Sequence, residues 1–184
     1  MIKKLLLSLS LIFLAALPAQ AHEAGKEHVI DLKKEAAIGN LTNVTSLHKT
    51  IYMAGQPDEA TLNSLKALDF DVVLNIRAAD ELDFDEQAIV ESHGLAYYNI
   101  PLLKDGQIQD ASVAAIHAVI RENKGKKILF HCSSGNRVAS WLGAHLVRAM
   151  NYETEAAIAY SKQAGMTREK METILRSYIS SLKE

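Results

Sequence analysis

Short apolar runs alternate with helically spaced apolar residues along most of the chain. Runs rich in β-branched and aromatic residues occur at 71–76 (DVVLNI), 95–101 (LAYYNIP) and 126–132 (KKILFHC). Runs of this kind, without strict polar alternation, are typical of strands that are covered on both faces. Two shorter extended segments are expected within 43–55, on either side of a turn at His48 and Lys49.

The segments between these runs predict helices at 56–69, 83–94 and 110–123, with Asp110 suited to the N-cap of the third. Beyond residue 136 the pattern changes to three helical stretches with no further strand. Strands that alternate with helices indicate a parallel sheet with helices on both faces. The sequence therefore predicts a single α/β domain with a central, mostly parallel sheet of four to five strands and an all-helical C-terminal part.

Two histidines fall beside the core-facing sides of predicted helices. His145 shares one helix face with Trp141 and Leu142, and His117 lies in the helix predicted at 110–123. This periodicity favours a structural role over a catalytic one for both imidazoles.

The N-terminal segment has the features of a secretory signal peptide. Lys3 and Lys4 precede an apolar run at 5–17, and Ala19-Gln20-Ala21 has the small-x-small pattern of a cleavage site. The run is short for a membrane span, although an uncleaved anchor is the alternative. We expect a cleaved signal peptide (1–21), a loose lead-in with a short helix (22–42), a domain over 43–184, and a periplasmic protein without stable membrane insertion.

Composition and charge exclude several classes of partner. The formal net charge of the 184 residues is −2, and no run of Lys and Arg or basic–aromatic interleaving predicts nucleic-acid binding. The histidines lack the i, i+4 spacing of metal ligands, and one cysteine cannot build a thiolate cage, so we expect no metal and no organic cofactor. The sequence predicts no particular oligomeric state.

The chain contains one cysteine, Cys132. Cysteines of exported proteins usually pair, so an unpaired one is an inert buried thiol, an intermolecular link or a reactive group. Here it follows a predicted buried strand and begins a short segment, the cysteine loop, of residues 132–137: Cys132, Ser133, Ser134, Gly135, Asn136 and Arg137.

The composition of the cysteine loop predicts an oxyanion cradle. Small residues allow backbone N–H groups to converge, a helix predicted to begin at about Asn136 adds its positive end, and Arg137 supplies a bidentate fork. Helix N-termini and adjacent cations favour the ionised, nucleophilic form of a thiol. His131 either positions the cysteine or packs as a supporting group, and both interpretations stay open.

The stretch HCSSGNR resembles the His-Cys-x5-Arg loop of the cysteine-dependent protein phosphatases. The segments at 51–77 and 94–106 and the helical C-terminal part are similar to the dual-specificity branch, and most similar to the phosphatase-like domain of the bacterial beta-lactamase-hydrolase-like family. The resemblance covers most of residues 43–165 and implies a protein tyrosine phosphatase-like fold.

The same resemblance implies a phosphatase mechanism and its residues. Cys132 would be the nucleophile, while Arg137 and the backbone N–H groups of 133–137 would hold the phosphoryl oxygens of a phosphorylated substrate. Asp105, in the segment PLLKDG, would be the general acid, with Asp110 as the second candidate.

Two departures from the phosphatase pattern keep other functions open. Four residues, rather than five, separate Cys132 from Arg137, and Val138 stands where phosphatases usually have Ser or Thr, with Ser140 two residues later. The shorter loop resembles that of rhodanese-type sulfurtransferases, in which Cys132 would carry a persulfide received from a sulfur donor. A third interpretation is an oxyanion-binding module without catalysis.

Overall fold

The computed structural model describes residues 30–183. The predicted signal peptide and the first part of the lead-in, residues 22–29, lie outside this range. The strands are β1 (Leu32–Lys34), β2 (Thr45–Leu47), β3 (Ile51–Ala54), β4 (Val72–Asn75), β5 (Ala96–Asn99), β6 (Leu103–Lys104), β7 (Gln107–Ile108) and β8 (Ile128–His131).

The helices account for most of the rest of the described chain. They are α1 (Glu59–Ser64), α2 (Glu86–Ser92), α3 (Asp110–Glu122), α4 (Asn136–Met150), α5 (Thr154–Ala164) and α6 (Glu169–Ser181). Two 3-10 helices, Leu65–Leu68 and Ala79–Glu81, follow α1 and β4. No helix within residues 30–183 is long and apolar enough to cross a membrane.

The central sheet has six strands in the order β1-β2-β3-β8-β4-β5. The pairs β3–β8, β8–β4 and β4–β5 are parallel, whereas β1 and β2 continue the sheet in antiparallel fashion. β4 and β8 are buried along their whole length, as their apolar sequences predict for strands covered on both faces.

Successive residues of the central strands serve two separate cores. Leu74 and Phe130 point into the larger core beneath α3–α6, whereas Val73 and Leu129 point into a smaller core beneath α1 and α2. This alternation follows from the two-residue period of a strand. It also directs the residues that follow Phe130: Cys132 belongs to the larger core, on the opposite face from the side chain of His131.

The predicted fold class is confirmed, with two differences in detail. The sheet has six strands instead of four to five, because part of the lead-in forms β1, and residues 30–40 contain no helix. The segment after β5 forms a hairpin of β6 and β7, which the sequence analysis did not predict. The C-terminal part is all-helical as predicted, with α5 and α6 packed on α4.

Candidate functional site

The carboxyl ends of the parallel strands meet at one edge of the sheet. In the registers, Ala54 and Asn75 both pair with His131, and Asn75 pairs with Asn99. The loops that leave β3, β8, β4 and β5 therefore start side by side. In open α/β sheets this edge is where ligands bind.

The cysteine loop lies at this edge, between β8 and α4. The residue Cys132 is 1% exposed, while Ser133 and Ser134 above it are exposed. The loop is fastened to the segment after β3, since Cys132 donates its N–H to the Ala54 carbonyl at 3.4 Å and Ser133 accepts the N–H of Gln56 at 3.2 Å. The side chain of Cys132 is thus buried beneath a short main-chain loop whose next two residues are exposed.

Helix α4 begins at Asn136 as predicted, after Gly135 turns the chain in the left-handed region with φ 81°. The first N–H groups of a helix lack intrahelical acceptors, and the helix dipole makes this end partially positive. The side chain of Asn136 is buried, and its Oδ1 accepts the N–H groups of Thr167 and Arg168 at 2.8 and 2.9 Å. The side chain of Asn136 is therefore engaged inside the protein, and its backbone N–H is the group left to bind a substrate.

Arg137 is held beside Cys132 by a carboxylate that the sequence analysis did not identify. Its two Nη atoms donate to Oε1 and Oε2 of Glu81 at 2.6 and 2.7 Å. The hydrogen bond to Glu81 raises the pKa of Arg137 above its ordinary value, and the neighbouring Cys132 acts in the same direction. In turn, the hydrogen bond from Arg137 lowers the pKa of Glu81 to about 2, so the pair stays charged across the physiological range.

His131 lies on the other side of the cysteine loop, inside the protein. Its Nε2 is 2.7 Å from Oε1 of Glu86, and both side chains are 0% exposed. Burial acts to raise the pKa of Glu86, but the hydrogen bond with His131 and the neighbouring charges outweigh it and hold that pKa below its ordinary value. His131 was expected either to position Cys132 or to pack as a supporting group. Its side chain is fully buried, and it contacts Glu86.

Asp105 occupies the tip of the β6–β7 hairpin, which follows β5. It is exposed, with φ 51°. Asp110, the second candidate for the general acid, is bound elsewhere: it pairs with Arg148 at 2.6 Å and accepts the hydroxyl of Tyr178 at 2.8 Å. Its prediction as an N-cap was wrong, because Gln109 is the N-cap and Asp110 is the first helical residue.

Ser140 lies in the buried first turns of α4. Its hydroxyl is 2.8 Å from the carbonyl of Asn136 and 3.4 Å from Sδ of Met166. The hydroxyl is therefore engaged by its own helix and by Met166, and it does not take the place of the Ser or Thr that phosphatases usually have after the arginine.

An acidic depression of about 380 Å³ flanks the site. Its lining includes Asp83, Phe84, Asp85 and Tyr97, and it reaches the network beneath the loop through Glu86. No residue of the cysteine loop lines this depression, so the two are separate features of the surface.

Comparison with known proteins gives structural neighbours only. No family model matches the chain, and no curated protein matches it either. Among solved structures, a protein described as a candidate phosphatase (DUF442) from Shewanella putrefaciens CN-32 has a TM-score of 0.58 at 22% identity, covering 79% of this chain and 92% of its own. Tk-PTP in its active form has a TM-score of 0.58 at 20% identity and covers 71% and 92%.

A third neighbour is TpbA from P. aeruginosa, solved in complex with pTyr. Its TM-score is 0.57 at 18% identity, with 74% of this chain and 82% of that chain covered. The chain has a protein tyrosine phosphatase-like fold. In this chain the cysteine loop lies between β8, the last strand, and α4, the helix that follows it.

Sequence reasoning placed the loop of this phosphatase-like fold correctly but missed its supporting side chains. Cys132, Ser133, Ser134, Gly135 and Arg137 lie together as predicted. Glu81 and Glu86 were missed, and they lie 56 and 45 residues from their partners in the sequence. The available signal was the acidic segment 80–86 directly after a buried strand, which a search for charge partners of Arg137 would have singled out.

Proposed function

We propose that the chain is a cysteine-dependent phosphatase that acts on phosphoric monoesters. The observation that supports this most strongly is the placement of Cys132 beside the guanidinium of Arg137, at the positive end of a 15-residue helix, in a fold shared with phosphatases. The guanidinium and the positive helix end both lie at Cys132. This arrangement favours a bound phosphoryl dianion and the thiolate form of the sulfur.

The first step transfers the phosphoryl group to sulfur. The thiolate of Cys132 attacks phosphorus, the bond from phosphorus to the leaving oxygen breaks, and the leaving oxygen takes a proton from Asp105. Arg137 and the N–H groups of the loop and first turn stabilise the charge on the equatorial oxygens. The products are the free alcohol or phenol and phosphocysteine.

The second step regenerates the thiolate. Asp105, now a carboxylate, removes a proton from water as the water oxygen attacks phosphorus, and the bond from phosphorus to sulfur breaks. Inorganic phosphate then leaves the cradle. The position of Asp105 at an exposed hairpin tip suits a group that approaches the substrate from the solvent side.

An aryl phosphate assay tests this function, and the complex of TpbA with pTyr supports an aryl ester as the first substrate. We expect hydrolysis by the wild type, none by Cys132→Ser, and a kcat reduced about a hundredfold in Asp105→Asn. Asp69→Asn is the matched control, since Asp69 is also exposed with a positive φ of 60° but caps the 3-10 helix at Leu65–Leu68. Hydrolysis that survives Cys132→Ser would reject the proposal.

Sulfur transfer is the second candidate, favoured by the four-residue spacing between Cys132 and Arg137. In that reaction the thiolate takes the outer sulfur of thiosulfate, sulfite leaves, and the persulfide passes its sulfur to cyanide as thiocyanate. Thiocyanate production that needs Cys132 but is unchanged in Asp105→Asn would favour this function. Phosphate binding without either activity would indicate an oxyanion-binding module.

We also propose that the protein is exported to the periplasm, on the strength of the N-terminal sequence pattern. Expression of the full chain in a Gram-negative host should give a mature N-terminus at His22, measured by intact mass, in the periplasmic fraction. A cytoplasmic product that keeps residues 1–21 would contradict export.

A further inference from the structure

His131, the residue before the cysteine loop, and Arg137, its last residue, are each bound to a carboxylate from residues 81–86, which follow β4. His131 lies 2.7 Å from Glu86, and Arg137 makes its two bonds to Glu81. The two pairs share no atom. Any communication between them has to pass through other side chains.

Gln56, in the segment after β3, contacts Glu86 on one side and Arg77 on the other. Its Nε2 donates to Oε2 of Glu86 at 2.7 Å, and its Oε1 accepts from Nη1 of Arg77. A carboxylate only accepts and a guanidinium only donates, so these partners fix which way the amide faces. Its main-chain N–H also holds the carbonyl of Ser133, inside the cysteine loop.

Arg77 completes the connection to Glu81. Its Nη2 donates to the main-chain carbonyl of Glu81, and its Nε lies 3.6 Å from Oε2 of the same residue, within ion-pair reach. The Arg77 side chain is only 13% exposed. The result is one continuous path, which we call the site circuit: His131, Glu86, Gln56, Arg77, Glu81 and Arg137.

We propose that Gln56 is a positioning residue for Cys132, because it joins the His131–Glu86 and Arg137–Glu81 pairs, which hold the residues that flank Cys132, into a single circuit. The proposal deepens the proposed function by assigning a residue that acts through others, since Gln56 hydrogen-bonds to neither His131 nor Arg137. Its consequence is that the orientations of these two residues depend on each other.

The chemistry of the site explains why this position holds a carboxamide. The circuit contains two carboxylates, Glu81 and Glu86, and two guanidiniums, which cancel in charge. A carboxylate at position 56 would face buried Glu86 and repel it, while an apolar side chain would remove the bonds that Gln56 makes to Oε2 of Glu86 and to Nη1 of Arg77. A carboxamide both donates and accepts, so it joins the pairs without adding charge.

Alkylation of Cys132 by iodoacetamide tests the proposal without relying on catalysis. In Gln56→Met, a variant of similar volume, we expect the alkylation rate at pH 7 to fall about tenfold, because a loosened loop no longer holds the sulfur beside Arg137. Gln87→Met is the matched control, since Gln87 is exposed on α2 and bonds to Glu91. An alkylation rate within twofold of wild type in a folded Gln56→Met protein would overturn the proposal.

A double-mutant cycle keeps the test decisive if Gln56→Met does not fold. Glu81→Gln and Glu86→Gln are measured singly and together with Gln56 intact, again by alkylation rate. The proposal expects the two effects to be clearly non-additive, since both act on one circuit. Additive effects would show two independent pairs and would contradict it.

Aryl phosphate kinetics on the same variants separate this inference from the proposed function. If the phosphatase proposal holds, Gln56→Met should lower kcat more than it raises KM, because positioning acts on the attacking sulfur. If the wild type hydrolyses no phosphate ester, the proposed function fails while the alkylation measurements still decide on the circuit.

Discussion

At the scale of single residues, the guanidinium of Arg137 is the group whose orientation matters most. An arginine side chain loses considerable freedom when it is fixed, and here Glu81 fixes it through two short bonds before any substrate arrives. The carboxylate takes one N–H of each Nη atom, so the remaining N–H groups of the guanidinium are available to an oxyanion. Preorganisation of this kind reduces the reorganisation needed during the reaction.

Replacing Glu81 with Gln should weaken this preorganisation without changing the shape of the side chain. We expect kcat/KM for an aryl phosphate to fall about tenfold, which corresponds to about 1.4 kcal/mol of transition-state stabilisation. Asp80→Asn, an exposed neighbour in the same 3-10 helix, should leave it unchanged. Equal kinetics in Glu81→Gln and wild type would show that the ion pair does not orient Arg137.

The pH dependence of this pair follows from its shifted pKa. Because the folded-state pKa of Glu81 is about 2 and its ordinary value is 4.5, the stabilisation is complete above pH 4.5 and is lost only as the pH falls towards 2. Activity between pH 5 and 8 should therefore reflect other groups.

At the scale of elements, the β8–loop–α4 unit carries both Cys132 and Arg137. β8 delivers Cys132 to the sheet edge, and α4 contributes its N-terminus and Arg137. The turn between them depends on Gly135, which lies at φ 81° with an ideal Cβ position 3.7 Å from the backbone of Ala54. A residue with a side chain is strained in that conformation.

The Gly135→Ala variant should therefore lose both stability and activity. We expect a loss of about 1–2 kcal/mol in the free energy of unfolding, measured by urea titration, with at least tenfold lower activity. Gly94→Ala is a close control, because Gly94 has φ 71° and no atom within 4 Å of an added Cβ. It should lose similar stability and keep its activity. Equal activity in Gly135→Ala and Gly94→Ala would show that the conformation of the turn at Gly135 does not affect activity.

The same unit shows which features a sequence can predict. β8 and the start of α4 were predicted correctly because an apolar run, small residues and a helical pattern are local signals. β1 was missed because its sequence, LKK, is polar, as is common for an edge strand. The β6–β7 hairpin was missed because its strands have two residues each. Glu81 and Glu86 were missed because their partners lie far away in the sequence.

At the scale of the whole molecule, α4 lies at the centre of the C-terminal half, where α3, α5 and α6 all pack against it. Gly143 allows α5 and α6 to approach α4 closely, since a Cβ there would lie 2.3 Å from Oγ of Ser161 and 2.8 Å from Cδ2 of Leu175. On the side facing α3, the rings of His145 and His117 lie 4.4 Å apart, and His145 stacks on Trp141. The helix that carries Arg137 is thus fixed on several sides.

The histidine pair makes stability depend on pH. Burial, then the neighbouring His117 and Arg148, lowers the pKa of His145 from 6.5 to about 4. Below pH 6.5 His145 is protonated in the unfolded chain but stays neutral in the folded protein. The free energy of unfolding therefore decreases as the pH falls from 6.5 to 4. The loss should reach about 1–3 kcal/mol, measured by urea unfolding at several pH values.

Substitution isolates this contribution from that of the carboxylates, whose lowered pKa values act below pH 4.5. His145→Gln should flatten the stability profile between pH 6.5 and 5. His48→Asn, an exposed turn residue at φ 50°, should leave the profile as in wild type. A profile that is unchanged in His145→Gln would place the pH dependence in another group.

The central claim is that the sulfur of Cys132 becomes covalently bonded to phosphorus during turnover. In the proposed mechanism Asp105→Asn slows the attack of water on phosphocysteine, so rapid acid quenching of this variant with an aryl phosphate, followed by mass spectrometry, is the most direct measurement. We expect one added phosphoryl group on the peptide that contains Cys132, formed together with a burst of phenol. An unmodified Cys132 during steady hydrolysis, or a phosphoryl group on another residue, would contradict it.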